Sequence, residues 1–231
     1  MRSVKYLIIC ALMLLLVASC LGRSRTVPPP AEVPPEPEPE PVFVPEFSAE
    51  PIPPDVEARM RGVSLPDGAR ITLDELRYLR LSYIDFDGRP QTGEMVCNKA
   101  IADDLLYIFG QLYEEGYPIR SIRLVDDFGG SDDASMAADN TSCFNYRPVP
   151  GTRQLSAHAL GRAVDINPLE NPYVRSSGVV MPPEGAAYAD RSADFEHKIV
   201  RGDVVWTLFH ERGFMWGGTW RRAKDYQHFE K

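Results

Sequence analysis

Proline dominates the segment between residues 21 and 55, and this composition limits what that part of the chain can fold into. Twelve of these 35 residues are proline, and glutamates are interspersed among them. Because proline fixes φ and lacks an amide hydrogen, we expect neither helix nor sheet here. A stiff polyproline spacer rises about 3.1 Å per residue, which gives roughly 80 Å from Pro28 to Pro54. The sequence therefore predicts a linker over residues 20–55 and one folded domain over residues 56–231.

The first 19 residues have the pattern of an export signal. Arg2 and Lys5 precede an apolar run, Leu7 to Ala18, that is short for a membrane span. The stretch Val-Ala-Ser-Cys that ends at Cys20 resembles a bacterial lipobox, whose cysteine is acylated. We predict a lipoprotein signal at residues 1–19 and a membrane anchor on Cys20, with an ordinary cleaved signal as the alternative. Leu21 occupies the position of an inner-membrane retention aspartate, which favours the outer membrane in a diderm cell.

The charge and the cysteines give two further expectations. The net charge of −8 comes in large part from glutamates of the linker, and no basic cluster is present, so we expect no nucleic-acid partner. Cys97 and Cys143 lie in the predicted domain, and export would expose them to an oxidising compartment. We predict a disulfide between them, with two buried free thiols as the alternative.

The predicted domain mixes helical and strand patterns without regular alternation. Apolar spacing predicts helices over residues 98–115, with Asn98 as the cap and Gly116 after the end, and over residues 193–214, either continuous or interrupted at Gly202. A hairpin is predicted around Asp87 and Gly88, and the remaining strands are expected within residues 119–128, 143–149, 161–167 and 225–230. This mixture predicts an α+β fold with an antiparallel sheet.

Four polar residues in two distant segments could form a metal site. His158 and Asp165 stand seven positions apart around Gly161, and Asp225 and His228 lie near the last residue. A catalytic zinc takes three protein ligands and one water, which His158, Asp165 and His228 could provide. Asp225 would then remain as a general base and acid. The spacing alone is weak evidence, because a turn histidine and a strand aspartate often make only local hydrogen bonds.

These two segments carry a family resemblance. The stretch "SAHALGRAVDINP" and the terminal "DYQHFE" are similar to the zinc D-Ala-D-Ala carboxypeptidase (VanY-like) family of cell-wall metallopeptidases, which also contains dipeptidases and L-Ala-D-Glu endopeptidases. The shared pattern is Ser-x-His-x-x-Gly-x-Ala-x-Asp, followed far downstream by acid-x-x-His. The resemblance covers most of residues 116–231. It implies an α+β fold of the hedgehog-like type, with a central antiparallel β-sheet flanked by helices and a zinc cleft on the sheet.

The resemblance also implies roles for single residues. His158, Asp165 and His228 would bind Zn²⁺, and Asp225 would be the catalytic acid and base. Arg147 matches an arginine that stabilises the oxyanion, unless it is a solvated strand residue. The residues expected to contact substrate are Ser156, Asn140, Ser142 and Trp216, of which Ser156 could instead support a metal ligand and Trp216 could instead belong to the core. His197 and His210 are more typical of surface or core-edge positions, and the two domain cysteines lie outside the family pattern.

The expected function is that of a zinc-dependent peptidase acting on the D-amino-acid-containing stem peptides of bacterial peptidoglycan. A D-alanyl-D-alanine carboxypeptidase is the first expectation, on the extracytoplasmic side of the cell envelope with a lipid anchor. An endopeptidase that cuts L-Ala-D-Glu or a cross-link is the alternative within enzymes. A non-catalytic peptidoglycan-binding module of the same fold is the alternative outside enzymes. A purely structural zinc is disfavoured because such sites are usually closed by a fourth protein ligand.

Overall fold

The computed structural model describes residues 42–231. The predicted signal at residues 1–19, the lipidation site Cys20 and the linker as far as residue 41 lie outside the described residues. Within residues 42–231, no helix has both the length and the apolarity that crossing a membrane requires.

Eleven short strands and four helices make up the regular structure of these residues. The strands are β1 Phe47–Glu50, β2 Leu76–Ile84, β3 Pro90–Asn98, β4 Ser121–Ile122, β5 Asn140–Thr141, β6 Ala163–Asp165, β7 Tyr173–Val174, β8 Val180–Met181, β9 Met215–Trp216, β10 Lys224–Asp225 and β11 His228–Glu230. The helices are α1 Pro54–Met60, α2 Ala102–Glu114, α3 Asp132–Ala137 and α4 Val204–Glu211. Single 3₁₀ turns occur at Leu73–Glu75, Val125–Phe128, Ala157–Leu160, Pro183–Tyr188 and Gly217–Thr219.

The strands form several small sheets rather than one. Three sheets are antiparallel and three-stranded, in the orders β1-β2-β3, β10-β7-β8 and β6-β11-β9, and β4 pairs with β5 in parallel. The mixed α and β content agrees with the predicted α+β class. Within residues 42–231 the strands do not join into one central antiparallel sheet flanked by helices, because most strands are only two or three residues long.

The prediction that residues 20–55 form a linker without helix or sheet was wrong for the last of these residues. β1 lies within the predicted linker, and it pairs with β2 so that Phe47 faces Leu81 and Glu50 faces Tyr78. β1 itself contains no proline, so the prolines that follow it do not interrupt its pairing with β2. Pro54 then occupies the first turn of α1, where a missing amide hydrogen costs no hydrogen bond.

The hairpin of β2 and β3 matches the prediction and packs on α2. Its strands pair from Leu76↔Asn98 to Ile84↔Pro90, across the turn that contains Gly88. The buried side of α2 carries Leu105, Ile108, Phe109 and Leu112, which belong to a core shared with the hairpin and with β6, β9 and β11. This core fixes the strands that later prove to carry the polar site.

Two helix predictions need correction at their ends. Asn98 is the last residue of β3, and its side chain bonds to the Ala100 amide and the Leu160 carbonyl instead of capping α2. The helix predicted over residues 193–214 is only α4, because the Asp203 carboxylate accepts from the Trp206 amide and starts the helix there. α3 lies in the segment that precedes residue 140. Residues 143–149, which were predicted as a strand, do not form one.

A buried turn follows β6 and carries Glu170, whose carboxylate is close to that of Asp139, the residue before β5. Asn167 accepts from the Arg120 amide, donates to the Pro118 carbonyl, and has a left-handed φ of 44°. Next to it, Asp139 and Glu170 are neighbours. Oδ2 of Asp139 lies 3.7 Å from Nε of Arg120, and neither this oxygen nor Oε2 of Glu170 has a hydrogen-bond partner among residues 42–231. Two carboxylate oxygens can only attract each other through a shared proton. Burial and the neighbouring Asp139 charge raise the pKa of Glu170 to about 8.

The raised pKa predicts a dependence of folding stability on pH. The folded state keeps this proton between the ordinary carboxyl pKa of 4.5 and about 8, whereas the unfolded state loses it. The stabilising contribution is therefore complete below pH 4.5 and is lost as the pH rises to about 8. Glu170→Gln should donate an amide proton to Asp139 at every pH. We expect the variant to gain about 1–3 kcal/mol over the wild type between pH 5 and pH 9, measured by urea unfolding.

The exposed Glu114, on the last turn of α2, supplies a matched control. Glu114→Gln should run parallel to the wild type over the whole pH range. If the curves of Glu170→Gln and the wild type were also parallel, no shared proton would exist between Glu170 and Asp139.

Candidate metal centre

The small sheet β6-β11-β9 brings the two distant polar segments together. β11 runs antiparallel to β6 in a register that places His228 directly opposite Asp165. Directly paired residues point to the same face of a sheet. The opposite faces of these strands are anchored by Val164 and Phe229, which are completely buried. Strand pairing alone therefore places an imidazole beside a carboxylate.

His158 reaches the same point from the 3₁₀ turn at Ala157–Leu160. The Ser156 hydroxyl accepts from the His158 amide and starts the turn. Gly161 ends it with φ of 63°, and a Cβ atom at Gly161 would lie 2.6 Å from the Asn98 amide nitrogen. Only glycine meets both conditions. The turn therefore returns the chain directly into β6 with His158 and Asp165 side by side.

Three donor atoms of these residues converge. Nε2 of His158 lies 3.1 Å from Nδ1 of His228 and 3.2 Å from Oδ2 of Asp165. Nδ1 of His228 lies 3.0 Å from Oδ1 of Asp165. All three residues are buried, and they are the one group of at least three such donors found within residues 42–231.

The outer nitrogen of each imidazole has its own acceptor, and this fixes which nitrogen faces inward. Nδ1 of His158 donates to the Cys143 carbonyl at 2.7 Å. Nε2 of His228 donates to a carboxylate oxygen of Glu230 at 3.4 Å. Metal-binding histidines are typically oriented by such acceptors. Glu230 was missed in the sequence analysis, although its position two residues after His228 on a strand places both on one face.

The electrostatics of the cluster favour a cation at its centre. Burial opposes ionisation of Asp165, yet the adjacent His158 and His228 outweigh it and hold the Asp165 pKa well below its usual range. Burial also opposes the charged form of His228, but hydrogen bonds from its ring to Asp165 and Glu230 raise its pKa to about 10. A positive charge is thus stabilised between these groups.

The same donors fit a tetrahedral divalent ion. Zinc bonds of about 2.0–2.1 Å to nitrogen and oxygen imply ligand atoms about 3.3–3.4 Å apart. The observed separations of 3.0–3.2 Å need only a slight expansion to reach that value. Two neutral imidazoles and one carboxylate are also a ligand set that zinc uses in catalytic sites. The donor set is therefore suited to hold zinc with one position left for water.

Asp225 lies beside this cluster, on the edge of the second small sheet. β10 pairs with β7, so that Asp225 is opposite Tyr173. Oδ1 of Asp225 is buried and has no hydrogen-bond partner in the described part of the chain. Burial raises the Asp225 pKa to about 7, against the opposing influence of His228. A Cβ at Gly217 would lie 2.8 Å from the Asp225 Cβ, so Gly217 leaves the space that Asp225 fills.

One cavity, here called the cavity, contains all of these groups. Besides His158, Asp165, Asp225 and His228, its lining includes Ser156, Arg147, Asp132, Tyr173, Arg175, Met181, Trp220 and Glu230. Arg147 is three-quarters buried and is oriented by an ion pair with Asp132, Nη2 to Oδ2 at 2.6 Å. Its Nε is buried without an acceptor among residues 42–231. The Trp220 ring lies beside the His228 ring, with centroids 5.3 Å apart.

Three residues expected to contact substrate lie elsewhere. Asn140 is buried, does not line the cavity, and binds Ser121, Arg123 and Ser135, so it joins β4 to α3. Ser142 exchanges backbone hydrogen bonds with Asp165 and positions it from behind. Trp216 is a core residue whose indole donates to the Tyr226 carbonyl. Ser156 lines the cavity, but its hydroxyl is engaged by the His158 amide.

The predicted disulfide is also corrected. Cys97 and Cys143 are buried free thiols, and Sγ of Cys143 donates to the Gly161 carbonyl at 3.4 Å. Burial raises the pKa of both thiols, which keeps them protonated and unreactive. The redox compartment indicates whether a disulfide can persist. It does not indicate whether two buried cysteines are oriented to form one.

The other two histidines do not approach the cluster. His197 lies in a turn with φ of 60° and stacks against Phe86. His210 is on α4 and stacks on Trp206, with ring centroids 4.4 Å apart. Their placement agrees with the expectation that neither is a ligand.

Comparison with known proteins identifies the same part of the chain. Residues 150–231 match a family model described as D-alanyl-D-alanine carboxypeptidase. No curated protein and no solved structure matches the chain with significant similarity. The resemblance inferred from the two motifs is therefore confirmed over residues 150–231, which contain all four polar residues of the site.

Removal of one donor should abolish metal binding. After zinc loading and dialysis, we expect about one zinc per wild-type chain and less than about a tenth of that in His158→Ala, because two remaining donors cannot hold the ion. Zinc should also raise the melting temperature of the wild type but not of the variant. Metal content is measured by plasma mass spectrometry.

His210→Ala provides the control, since this histidine is outside the cavity. It should bind zinc like the wild type. Stoichiometric zinc in His158→Ala would contradict the ligand set.

Proposed function

We propose that this protein is a zinc-dependent peptidase that hydrolyses D-amino-acid-containing stem peptides of bacterial peptidoglycan, and that it acts as a D-alanyl-D-alanine carboxypeptidase. One observation carries the proposal: three convergent metal donors share a cavity with a carboxylate oxygen that has no partner among the described residues. The matched family supports peptidoglycan as the substrate.

The metal would be held by His158, Asp165 and His228. When bound, zinc supplies a Lewis acid and lowers the pKa of its water towards about 7. The Cys143 carbonyl and the Glu230 carboxylate keep the two imidazoles oriented, so the donors need not rearrange. Such preorganisation reduces the reorganisation that accompanies the reaction.

Asp225 is the residue that would move the proton. Its Oδ1 has no hydrogen-bond partner within residues 42–231, and a pKa near neutrality suits a group that must both accept and release a proton. It would take a proton from the attacking water and deliver it to the leaving amine nitrogen. Gly217 and the β7 pairing hold the carboxylate in place.

Arg147 would stabilise the negative charge that develops on the carbonyl oxygen. The ion pair with Asp132 fixes the guanidinium, and its unused Nε–H is a buried donor at the cavity wall. A fixed donor directed at a developing oxyanion is a large contributor to catalysis of acyl transfer. The side chain thus has both the charge and the constraint that this role requires.

The activity would be exercised at the cell envelope. We propose that Cys20 is acylated and that the proline-rich segment separates the peptidase from an extracytoplasmic membrane surface, the outer membrane in a diderm cell. The lipobox-like stretch and the composition of residues 21–41 support this arrangement. Cys20→Ser should shift the protein from the detergent phase to the aqueous phase in a two-phase partition. Equal partition of both forms would contradict an acyl anchor.

Replacement of Asp225 tests the proposed chemistry. Asp225→Asn keeps the shape of the side chain but cannot accept the proton, so kcat on a stem peptide ending in D-Ala-D-Ala should fall about 10²–10⁴-fold. Zinc content should stay at one per chain. Product masses identify the bond that is cut, and release of a single D-alanine separates a carboxypeptidase from an endopeptidase.

Asp103→Asn, on the exposed side of α2, is the matched control and should retain full activity. Full activity in Asp225→Asn would remove the proposed general base. A zinc-loaded wild type that binds muropeptides but releases no product would identify a binding module instead.

A further inference from the structure

All three tryptophans of the chain line one groove next to the cavity, here called the tryptophan groove. Trp206 is on α4, Trp216 ends β9, and Trp220 follows the turn at Gly217–Thr219. Met215 also lines the groove, and its 63% exposure is the highest among the large apolar side chains of residues 45–231. The volume of about 400 Å³ is in the range of small-ligand sites. Such a concentration of accessible apolar surface indicates a binding site.

The base of the tryptophan groove is held rigidly. The Trp216 indole donates to the Tyr226 carbonyl at 2.8 Å. A Cβ atom at Gly218 would overlap the Trp216 ring, so glycine is required where the turn lies on this ring. The Thr219 hydroxyl donates to the Trp216 carbonyl at 2.7 Å. A ligand therefore meets aromatic surfaces that are already ordered, which lowers the entropy lost on binding.

The tryptophan groove combines flat apolar surfaces with hydrogen-bonding groups. His210 stacks on Trp206 with ring centroids 4.4 Å apart, and the Arg201 guanidinium lies 5.6 Å from the Trp206 ring centroid. A pyranose ring has the same division, because its C–H groups form an apolar face and its hydroxyl and N-acetyl groups lie at the edge. C–H groups pack favourably on the negative face of an aromatic ring, and guanidinium and imidazole groups bond to the polar edge. The lining therefore suits a saccharide.

Trp220 joins the tryptophan groove to the cavity, because it lines both. Its ring centroid lies 5.3 Å from that of His228. In peptidoglycan, the N-terminus of each stem peptide is attached to a chain of N-acetylated amino sugars. With a D-Ala-D-Ala bond at the metal donors, the four residues on the acyl side span at most roughly 13–14 Å. The sugar that carries the peptide then lies just outside the cavity, within reach of the tryptophan groove.

We propose that the tryptophan groove binds the glycan strand of peptidoglycan while the attached stem peptide occupies the cavity. This inference rests on the proposed peptidase function and names the form of the substrate, a peptide still joined to its sugar chain. Trp206 with its stacked His210 provides one platform for the sugar rings, and Trp220 provides another beside the cavity. These contacts are distant from the scissile bond, so they should lower KM and leave kcat unaffected.

Intrinsic fluorescence tests the assignment without hydrolysis, since every tryptophan of the chain lines the groove. The zinc-loaded full chain is titrated with an N-acetylglucosamine tetramer, and we expect a saturable change in emission. Trp206→Ala should weaken binding about tenfold, the effect of one aromatic platform, as measured by calorimetry. Met215→Ser should also weaken binding, and it changes an exposed side chain that the core does not need.

Tyr107→Ala is the matched control, because it removes an exposed aromatic ring outside both the cavity and the tryptophan groove. It should bind the tetramer like the wild type. Unchanged binding in both Trp206→Ala and Met215→Ser would overturn the proposal. Emission that responds to phosphatidylglycerol vesicles but not to the sugar would overturn it as well, in favour of a lipid surface.

Two substrates separate this inference from the hydrolysis itself. One is a stem peptide ending in D-Ala-D-Ala, and the other is the same peptide joined to its disaccharide. We expect the wild type to favour the linked form about tenfold in kcat/KM through a lower KM, and this ratio should fall towards one in Trp206→Ala and Met215→Ser. Equal cleavage of both forms by the wild type would overturn the proposal alone. Sugar binding without cleavage of either form would instead contradict the proposed peptidase function.

Discussion

The pairing of β11 with β6 is the interaction on which the site depends. It joins residues 63 positions apart in the chain, and its register alone decides that His228 faces Asp165. A slip of one residue would turn His228 to the opposite face. The buried partners Val164 and Phe229 oppose such a slip, because they would have to leave the core. Apolar packing on one face of this small sheet thus fixes the register, and the register fixes the positions of the polar groups on the other face.

The second constraint is electrostatic. Two imidazoles and a carboxylate are buried together, and each buried polar group requires a partner. The Cys143 carbonyl and the Glu230 carboxylate accept hydrogen bonds from the outer ring nitrogens of the two histidines. The inner ring nitrogens and the Asp165 carboxylate face one another, and a positive charge between them stabilises this arrangement. A divalent ion meets this requirement better than a proton, since it can bond to all three atoms. Burial at the same place raises the Asp225 pKa to about 7, so one environment prepares both partners of the proposed reaction.

The sequence predicted the chemistry of the site better than its surroundings. His158, Asp165, His228 and Asp225 could be found because metal binding restricts residue types and the two motifs retain their order. Gly161 was identifiable for a similar reason, a turn that only glycine permits. Asn140, Ser142 and Trp216 were misplaced because nothing local tells whether a polar or aromatic residue near a motif faces the cavity or the layer behind it. The inward direction of Glu230 follows from the register of β11, which short strands between turns do not reveal in advance. The predicted start of the folded domain, residue 56, was too late for a comparable reason. The pairing of β1 with β2 is a long-range contact that local composition does not reveal.

X-ray absorption at the zinc edge of the zinc-loaded full chain tests the central claim most directly. We expect a first coordination shell of nitrogen and oxygen at about 2.0–2.1 Å, with the outer-shell scattering of two imidazoles and no sulfur. His158→Ala should give less than about a tenth of the wild-type zinc-edge signal, because two remaining donors cannot hold the ion. A sulfur neighbour at about 2.3 Å, or a shell with no imidazole, would show that the ion is bound elsewhere and would contradict the account.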